Sequence, residues 1–344
     1  MRLATFQPQH GVHCETTTLR NMLHHAGVGV SEAMLFGLGQ GIDFQYWDAP
    51  APGRVPPMLT GRIEPARLSR NACSALGVEL RASRAPDADT ANAVATQLLE
   101  SGHVVGVSVD IFHLDYFTSR SHFAAHYIAL YGLDDTLAHV VDTEQQGGAR
   151  TLPAQSLRRA RASDEGFMPS PHLYLYVEQV PERLTADPDA VLREQIWTAV
   201  RLTAERMTED RGPRYGVPAL RRAASEVAGW HDTLASPHET VPGVGRFWRF
   251  AGTGGANFRK LYREFLREAR QVCDDDELAP FAEGFGDVER QWDRAIEMLT
   301  AYPGANGPRQ LQAVAALLES IADAEHALFE GLLVPAAKRA GEPV

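Results

Sequence analysis

The 344-residue chain has only three cysteines, Cys14, Cys73 and Cys273, and no two of them form a CxxC pair. That excludes a disulfide framework and a thiolate zinc site, and suits a reducing compartment. No apolar run reaches the length of a transmembrane helix, so no membrane association is expected. The opening Met1-Arg2-Leu3-Ala4-Thr5-Phe6-Gln7-Pro8 lacks the apolar core of a secretory signal, and a cytoplasmic location is expected. Basic residues are in deficit: 33 Lys and Arg stand against 44 Asp and Glu, a net charge of −11. A nucleic-acid binder needs a basic footprint that is missing here. A cationic small molecule is the partner that such a charge favours, if the charge gathers in a cleft. The 13 histidines are scattered with no HExxH, so no metal is signalled.

What is present is ordinary in bulk: 44% apolar and 22% charged residues, over a length that suggests two domains. The informative stretch is His13-Cys14-Glu15-Thr16-Thr17-Thr18-Leu19-Arg20-Asn21-Met22-Leu23. Leu19, Met22, Leu23 and Ala26 fall at helical spacing and predict a helix with one buried face, closed by Gly27. Cys14 then stands at the helix start, where unpaired N–H groups and the macrodipole favour a thiolate and can hold an oxyanion. The competing reading is a buried structural thiol.

A short helix is predicted from an N-cap at Ser31 through Phe36. Gly37, Gly39 and Gly41 then imply unusual φ angles or a wall that something approaches closely. Residues 42–47 read as a strand, and the Pro/Gly-rich 48–57 as a loop. Helices are predicted over 65–76 and 90–101, and strands over 78–82, 104–109, 127–131, 137–141 and 173–177. Strands and helices mix without regular alternation, which predicts an α+β domain over 1–178. Residues 179–189 read as a linker with two prolines. Residues 190–339 read as a mostly helical second domain, with helices over 190–210, 218–235, 256–273, 277–301 and 308–332.

Nucleophilic cysteine chemistry needs a base and a group that orients it. If Leu133 to Asp135 form the loop between the 127–131 and 137–141 strands, Gly132 pairs with Thr136 and His126 stands directly opposite Asp142. Directly opposed side chains share a face with Cβ atoms about 5 Å apart. The spacing therefore makes His126 the first choice as base and Asp142 its partner, conditional on that loop length. His122 is the second choice; His10, His13, His103 and His113 also compete. Gln7 and Gln9, just upstream of Cys14, are candidates for oxyanion donors. The order Cys, His, Asp with the thiol on the first long helix is that of papain-like cysteine proteases.

These residues carry a family resemblance. His13-Cys14-Glu15, Leu19-Arg20-Asn21-Met22-Leu23, Gly27 and Ser31 through Gly41 resemble the N-terminal domain of the butirosin biosynthesis protein H family. So do Val109-Asp110, His122, His126-Tyr127, Tyr131-Gly132 and Val141-Asp142. The stretch Gly252-Thr253-Gly254-Gly255-Ala256-Asn257-Phe258-Arg259-Lys260-Leu261-Tyr262 resembles the uncharacterised helical domain that commonly follows it. The resemblance implies a papain-like acyltransferase in natural-product biosynthesis. Cys14 would take an acyl group from an acyl-carrier-protein thioester and pass it to an amine or hydroxyl, with His126 moving protons and Asp142 holding the imidazole. No cofactor is implied beyond the phosphopantetheine that the carrier protein brings. A thioesterase, amidase, peptidase or cyclase using the same three residues is the alternative, and a non-catalytic scaffold a third.

Substrate-binding candidates are Glu15, Gly39, Gly41, Gly254, Gly255 and Arg259, the last three as a phosphate cradle at a helix start. The competing reading of that stretch is a tight turn. An acidic carrier protein would need a local basic patch, for which Arg158, Arg159, Arg161 and Arg259 are among the candidates. A homodimer stays open.

Overall fold

The computed structural model describes residues 1–48, 57–119, 121–251, 253–303 and 306–340. Most of the 48–57 loop reading, and Gly252, fall outside them. The chain runs α1 (Cys14–His25), α2 (Glu32–Leu38), β1 (Ile42–Trp47), β2 (Met58–Arg62), α3 (Arg67–Leu76), β3 (Glu79–Arg84), α4 (Ala88–Glu100) and β4 (Val105–Val109). It continues through β5 (His126–Leu133), β6 (Leu137–Val141), β7 (Ala149–Pro153), α5 (Ala154–Ala162), β8 (Leu173–Gln179) and α6 (Glu182–Ala186). Seven helices follow: α7 (Pro188–Thr208), α8 (Gly216–Val227), α9 (Trp230–Thr233), α10 (Pro237–Phe250), α11 (Arg259–Cys273), α12 (Ala279–Thr300) and α13 (Gly307–Ala340). The fold is α+β, with the main sheet in the N-terminal region and helices in the C-terminal one. No helix among the described residues is long and apolar enough to cross a membrane.

The chain divides into two compact units that are not contiguous in sequence. The first takes in Met1–Leu35 and Pro65–Val191; the second takes in residues 36–48, 57–64 and 192–340 of the described chain. The boundary read from composition, one domain over 1–178, is therefore corrected. The β1–β2 hairpin belongs with the helices, because β1 is buried on both faces and its Phe44 ring lies 5.9 Å from that of Trp292. Trp248 donates its indole N–H to the Leu59 carbonyl of β2 at 3.1 Å. The segment read as a linker, 179–189, holds the end of β8, all of α6 and the start of α7. In the second unit, α10 lies where no helix is predicted, since Pro242 and Gly243 interrupt the helical pattern of the sequence. Burial of Val241, Val244 and Trp248 offsets the backbone hydrogen bond that Pro242 cannot give.

In the first unit six antiparallel strands run in the order β3-β8-β4-β5-β6-β7. Helix α1 packs on β4 and β5 and is buried almost all round near its start. Gly106 of β4 permits this approach: a Cβ there would lie 3.0 Å from Thr18 Cγ2 and 3.1 Å from Met22 Sδ. The predicted close of α1 is seen as a Schellman turn, with Gly27 at φ +88°, its N–H on the His24 carbonyl and the Val28 N–H on the Leu23 carbonyl.

The β5–β6 register differs from the prediction. Leu133 pairs with Ala138 and Gly132 with His139, so the loop is longer than three residues. Beyond a bulge between Leu130 and Gly132, Leu130 pairs with Val140 and Ala129 with Val141. One residue further, Asp142 comes opposite Ile128, two positions from His126.

Candidate active site

Helix α1 starts at Cys14 for a reason that lies outside its own sequence. His13 is extended (φ −113°, ψ 127°) and its side chain gives no cap. The carboxylate of Glu32 does that work instead. It accepts the N–H groups of Val12 and His13 and lies 2.8 Å from the Thr16 hydroxyl and 3.2 Å from that of Thr17. Gly11 makes room, since a Cβ there would meet Thr17 Oγ1 at 2.4 Å and Glu32 Oε1 at 2.7 Å. Glu15, in the first turn, is buried and accepts the N–H and hydroxyl of Ser69 on α3, at 2.9 and 2.8 Å. It pins α1 to α3, which corrects its reading as a substrate-binding residue. The positive end of α1 thus already has two carboxylates near it, Glu15 and Glu32, and the basic group that acts with Cys14 is His126.

His126 opens β5, pairs across the sheet with Val109 of β4, and is buried. Its Nε2–H donates to the Asp142 carboxylate, 2.9 Å from each oxygen. The Cys14 sulfur is the second group near enough to act on the ring, and it favours the protonated imidazole. Burial works against a charged imidazole here, but the Asp142 carboxylate and the Cys14 sulfur outweigh it and hold the His126 pKa up at about 10.

Asp142 is 1% exposed, so its charge needs full compensation. Besides His126 it accepts the Tyr116 hydroxyl at 2.9 Å and the Thr143 N–H at 2.6 Å. Burial and the neighbouring carboxylate push the Tyr116 pKa well above the ordinary phenol value, so Tyr116 stays a donor. Phe117 sets its ring edge-on to the imidazole, centroids 5.4 Å apart. Neither residue was legible as part of the site, because the segment between β4 and β5 has no periodicity that would aim them.

The other candidates are placed as follows. Gln9 is held to α1 by Asn21, which accepts its N–H and donates to its carbonyl, at 2.9 and 2.8 Å. Its side chain donates to the Gln7 carbonyl at 3.4 Å, while Gln7 itself is exposed. His122 does not join Cys14; its Nδ1–H is on Asp110 at 2.6 Å. His13 Nδ1 lies 3.0 Å from the Thr16 hydroxyl. Gly39 and Gly41 are buried, and a Cβ on Gly41 would strike the Phe36 ring at 2.5 Å, so Gly41 accommodates the protein's own core.

Arg259 is corrected outright. It is 0% exposed, forms a two-pronged ion pair with Glu325, and donates to the carbonyls of Asp43, Gly61 and Asn257. No surface is left for a ligand. Gly254 and Gly255 have φ of +67° and +104° and form the turn into this buried anchor, the reading that competed with a phosphate cradle. Arg161 is likewise buried, on the Ala91 carbonyl, and leaves the basic patch.

Residues 13–143 match the family model of the butirosin biosynthesis protein H N-terminal domain, and residues 155–332 match a domain of unknown function, DUF4872. The chain carries a butirosin biosynthesis protein H N-terminal domain followed by a DUF4872 domain. Cys14, His126 and Asp142 all lie inside the first matched region, and α7 to α12 inside the second. The name of the N-terminal family refers to butirosin biosynthesis. No curated protein matches the chain.

Proposed function

We propose that the chain is a cysteine-dependent acyltransferase, with a papain-like arrangement of Cys14 as nucleophile, His126 as general base and acid, and Asp142 as the group that orients and charges the imidazole. One observation carries this reading: the buried His126 ring is held by the Asp142 carboxylate at 2.9 Å and lies within electrostatic reach of the Cys14 sulfur. A structural thiol needs neither partner.

In the first half-reaction the Cys14 sulfur, its proton on His126, attacks the carbonyl carbon of a thioester. The tetrahedral oxyanion is held by first-turn N–H groups of α1, with the Gln9 amide as the side-chain candidate. Collapse breaks the carbon–sulfur bond to the leaving thiol, which takes the proton from His126. Thiolate exchange on a thioester needs little driving force, since attacking and leaving sulfurs are alike. In the second half-reaction an amine or hydroxyl loses its proton to His126, attacks the acyl-Cys14 carbonyl and restores the thiol. The donor is a phosphopantetheine thioester on an acyl carrier protein, and the acidic chain suits a cationic acceptor.

The test is intact-mass analysis after incubation with carrier-bound acyl and aminoacyl thioesters. Acyl mass on the wild type, absent from Cys14→Ala and discharged as an amide by added amine, is the expected result. Discharge only as free acid replaces transferase with thioesterase. No adduct from any thioester overturns the reading.

A further inference from the structure

The first unit holds a second cluster of ionisable side chains that the Cys14 chemistry does not use. Asp110, His113 and His122 bring one potential ligand atom each to within 4.8 Å of one another. Asp110 is buried at the end of β4. One carboxylate oxygen accepts the N–H groups of Phe112 and Phe123 at 3.1 and 3.0 Å. The other accepts His122 Nδ1–H at 2.6 Å and the Ser163 hydroxyl at 2.7 Å. Four donors use all the lone pairs that a carboxylate offers. Asp110 is therefore placed as the carboxylate behind a metal-bound histidine, which fixes the ring and raises its basicity.

With Nδ1 engaged, His122 has Nε2 left, and a Glu165 carboxylate oxygen lies 3.4 Å from it. Phe112 stacks on the His122 ring at 4.1 Å and fixes its plane, and the His113 ring meets it edge-on at 5.9 Å. Gly166, at φ +79°, lets the Glu165 segment come this close: a Cβ there would lie 2.4 Å from the His122 carbonyl oxygen. His113 and His122 are half-buried and Glu165 is exposed, so ions in solution can reach all three.

We propose that His122 Nε2, His113 and the Glu165 carboxylate bind a divalent transition-metal ion, Zn²⁺ foremost, with Asp110 as the supporting carboxylate behind His122. Two imidazoles and one carboxylate form a set that borderline metals prefer, and they leave a position for water. The charges of Asp110 and Glu165 together balance a divalent ion. Ligand atoms around one zinc lie roughly 3.3 Å apart given its bond lengths, and Glu165 already stands 3.4 Å from His122 Nε2. The ion would fasten the 110–123 segment, which sets Tyr116 and Phe117 against Asp142 and His126, to the 163–166 segment.

The experiment uses the full-length protein, stripped with a chelator, titrated with Zn²⁺ by calorimetry and with Co²⁺ by visible absorption. One equivalent of Zn²⁺ is expected, with Co²⁺ bands that lack thiolate charge transfer and persist in Cys14→Ala. Glu165→Gln changes an exposed side chain and leaves folding intact; it should weaken binding at least tenfold. Asp110→Asn should weaken it about 10- to 100-fold, and His113→Ala with His122→Ala should abolish it. Wild-type binding no tighter than that of the double variant, an unchanged affinity in Glu165→Gln, or a thiolate band lost in Cys14→Ala each overturns the assignment.

Discussion

Asp142 lies two positions out of register from His126 on the neighbouring strand, and the two side chains meet because β5 carries one extra residue. At the turn, the pairing of Gly132 with His139 would place Asp142 opposite Ala129, on the other face from His126. The bulge between Leu130 and Gly132 shifts the pairing by one, and Asp142 comes opposite Ile128, on the His126 face. The diagonal distance is bridged at 2.9 Å. Asp142→Asn keeps the shape and removes the charge. Acyl transfer should fall about 10²- to 10⁴-fold, measured as the rate of acyl-enzyme formation, with circular dichroism unchanged.

Tyr116 tests whether the orientation of Asp142 matters beyond its charge. Its hydroxyl is one of three donors to Asp142. Hydrogen bonds to charged groups contribute about 1.5–3 kcal/mol. Tyr116→Phe should lower the rate of acyl-enzyme formation by about tenfold or more, with a smaller loss than Asp142→Asn. A rate equal to wild type would remove Tyr116 from the site.

The protonated His126 also makes stability depend on pH. Its pKa rises from an unfolded value of 6.5 to about 10 in the fold. The folded state then holds a proton that the unfolded chain releases, so the stabilisation is complete below pH 6.5 and is lost as pH rises through about 10. The Tm advantage of wild type over His126→Gln should shrink steadily across that window. A constant gap would show that His126 folds uncharged.

In the second unit, Arg259 and Glu325 are both 0% exposed, with Trp292 Nε1–H on the same carboxylate at 2.8 Å. Removing one partner strands a buried charge. Glu325→Ala should cost about 3–5 kcal/mol in denaturant unfolding. Arg259→Met with Glu325→Leu should recover much of that loss, since the apolar pair leaves no charge behind.

The helix that starts at Cys14, the strand that carries His126 and the α+β character were legible because each has a local signal: helical spacing closed by Gly27, the apolar and aromatic run Tyr127 to Tyr131 ahead of a Gly/Asp turn, irregular alternation. The pairing of His126 with Asp142 was reached through a register that the structure replaces. The expected alignment and the observed one differ by two residues, an even number, so the faces agree although the partners do not. Nothing local in Leu130 to Gly132 announces a bulge. Arg259 misled for a related reason: a basic residue at a helix start after glycines reads as a ligand anchor, and only Glu325, far along the chain, shows it to be buried. Tyr116, Phe117 and Glu32 act across chain separations that periodicity does not encode.

The most direct measurement is site-resolved alkylation of the three thiols by iodoacetamide at neutral pH, in wild type and in His126→Gln. Burial pushes Cys73 up to about 12 and also raises Cys273, so both should react slowly. The account predicts that Cys14 is labelled first and at least tenfold faster than either, and that this lead disappears in His126→Gln while Cys273 keeps its rate. A Cys14 that is inert, or whose rate is unchanged when His126 is lost, would contradict it.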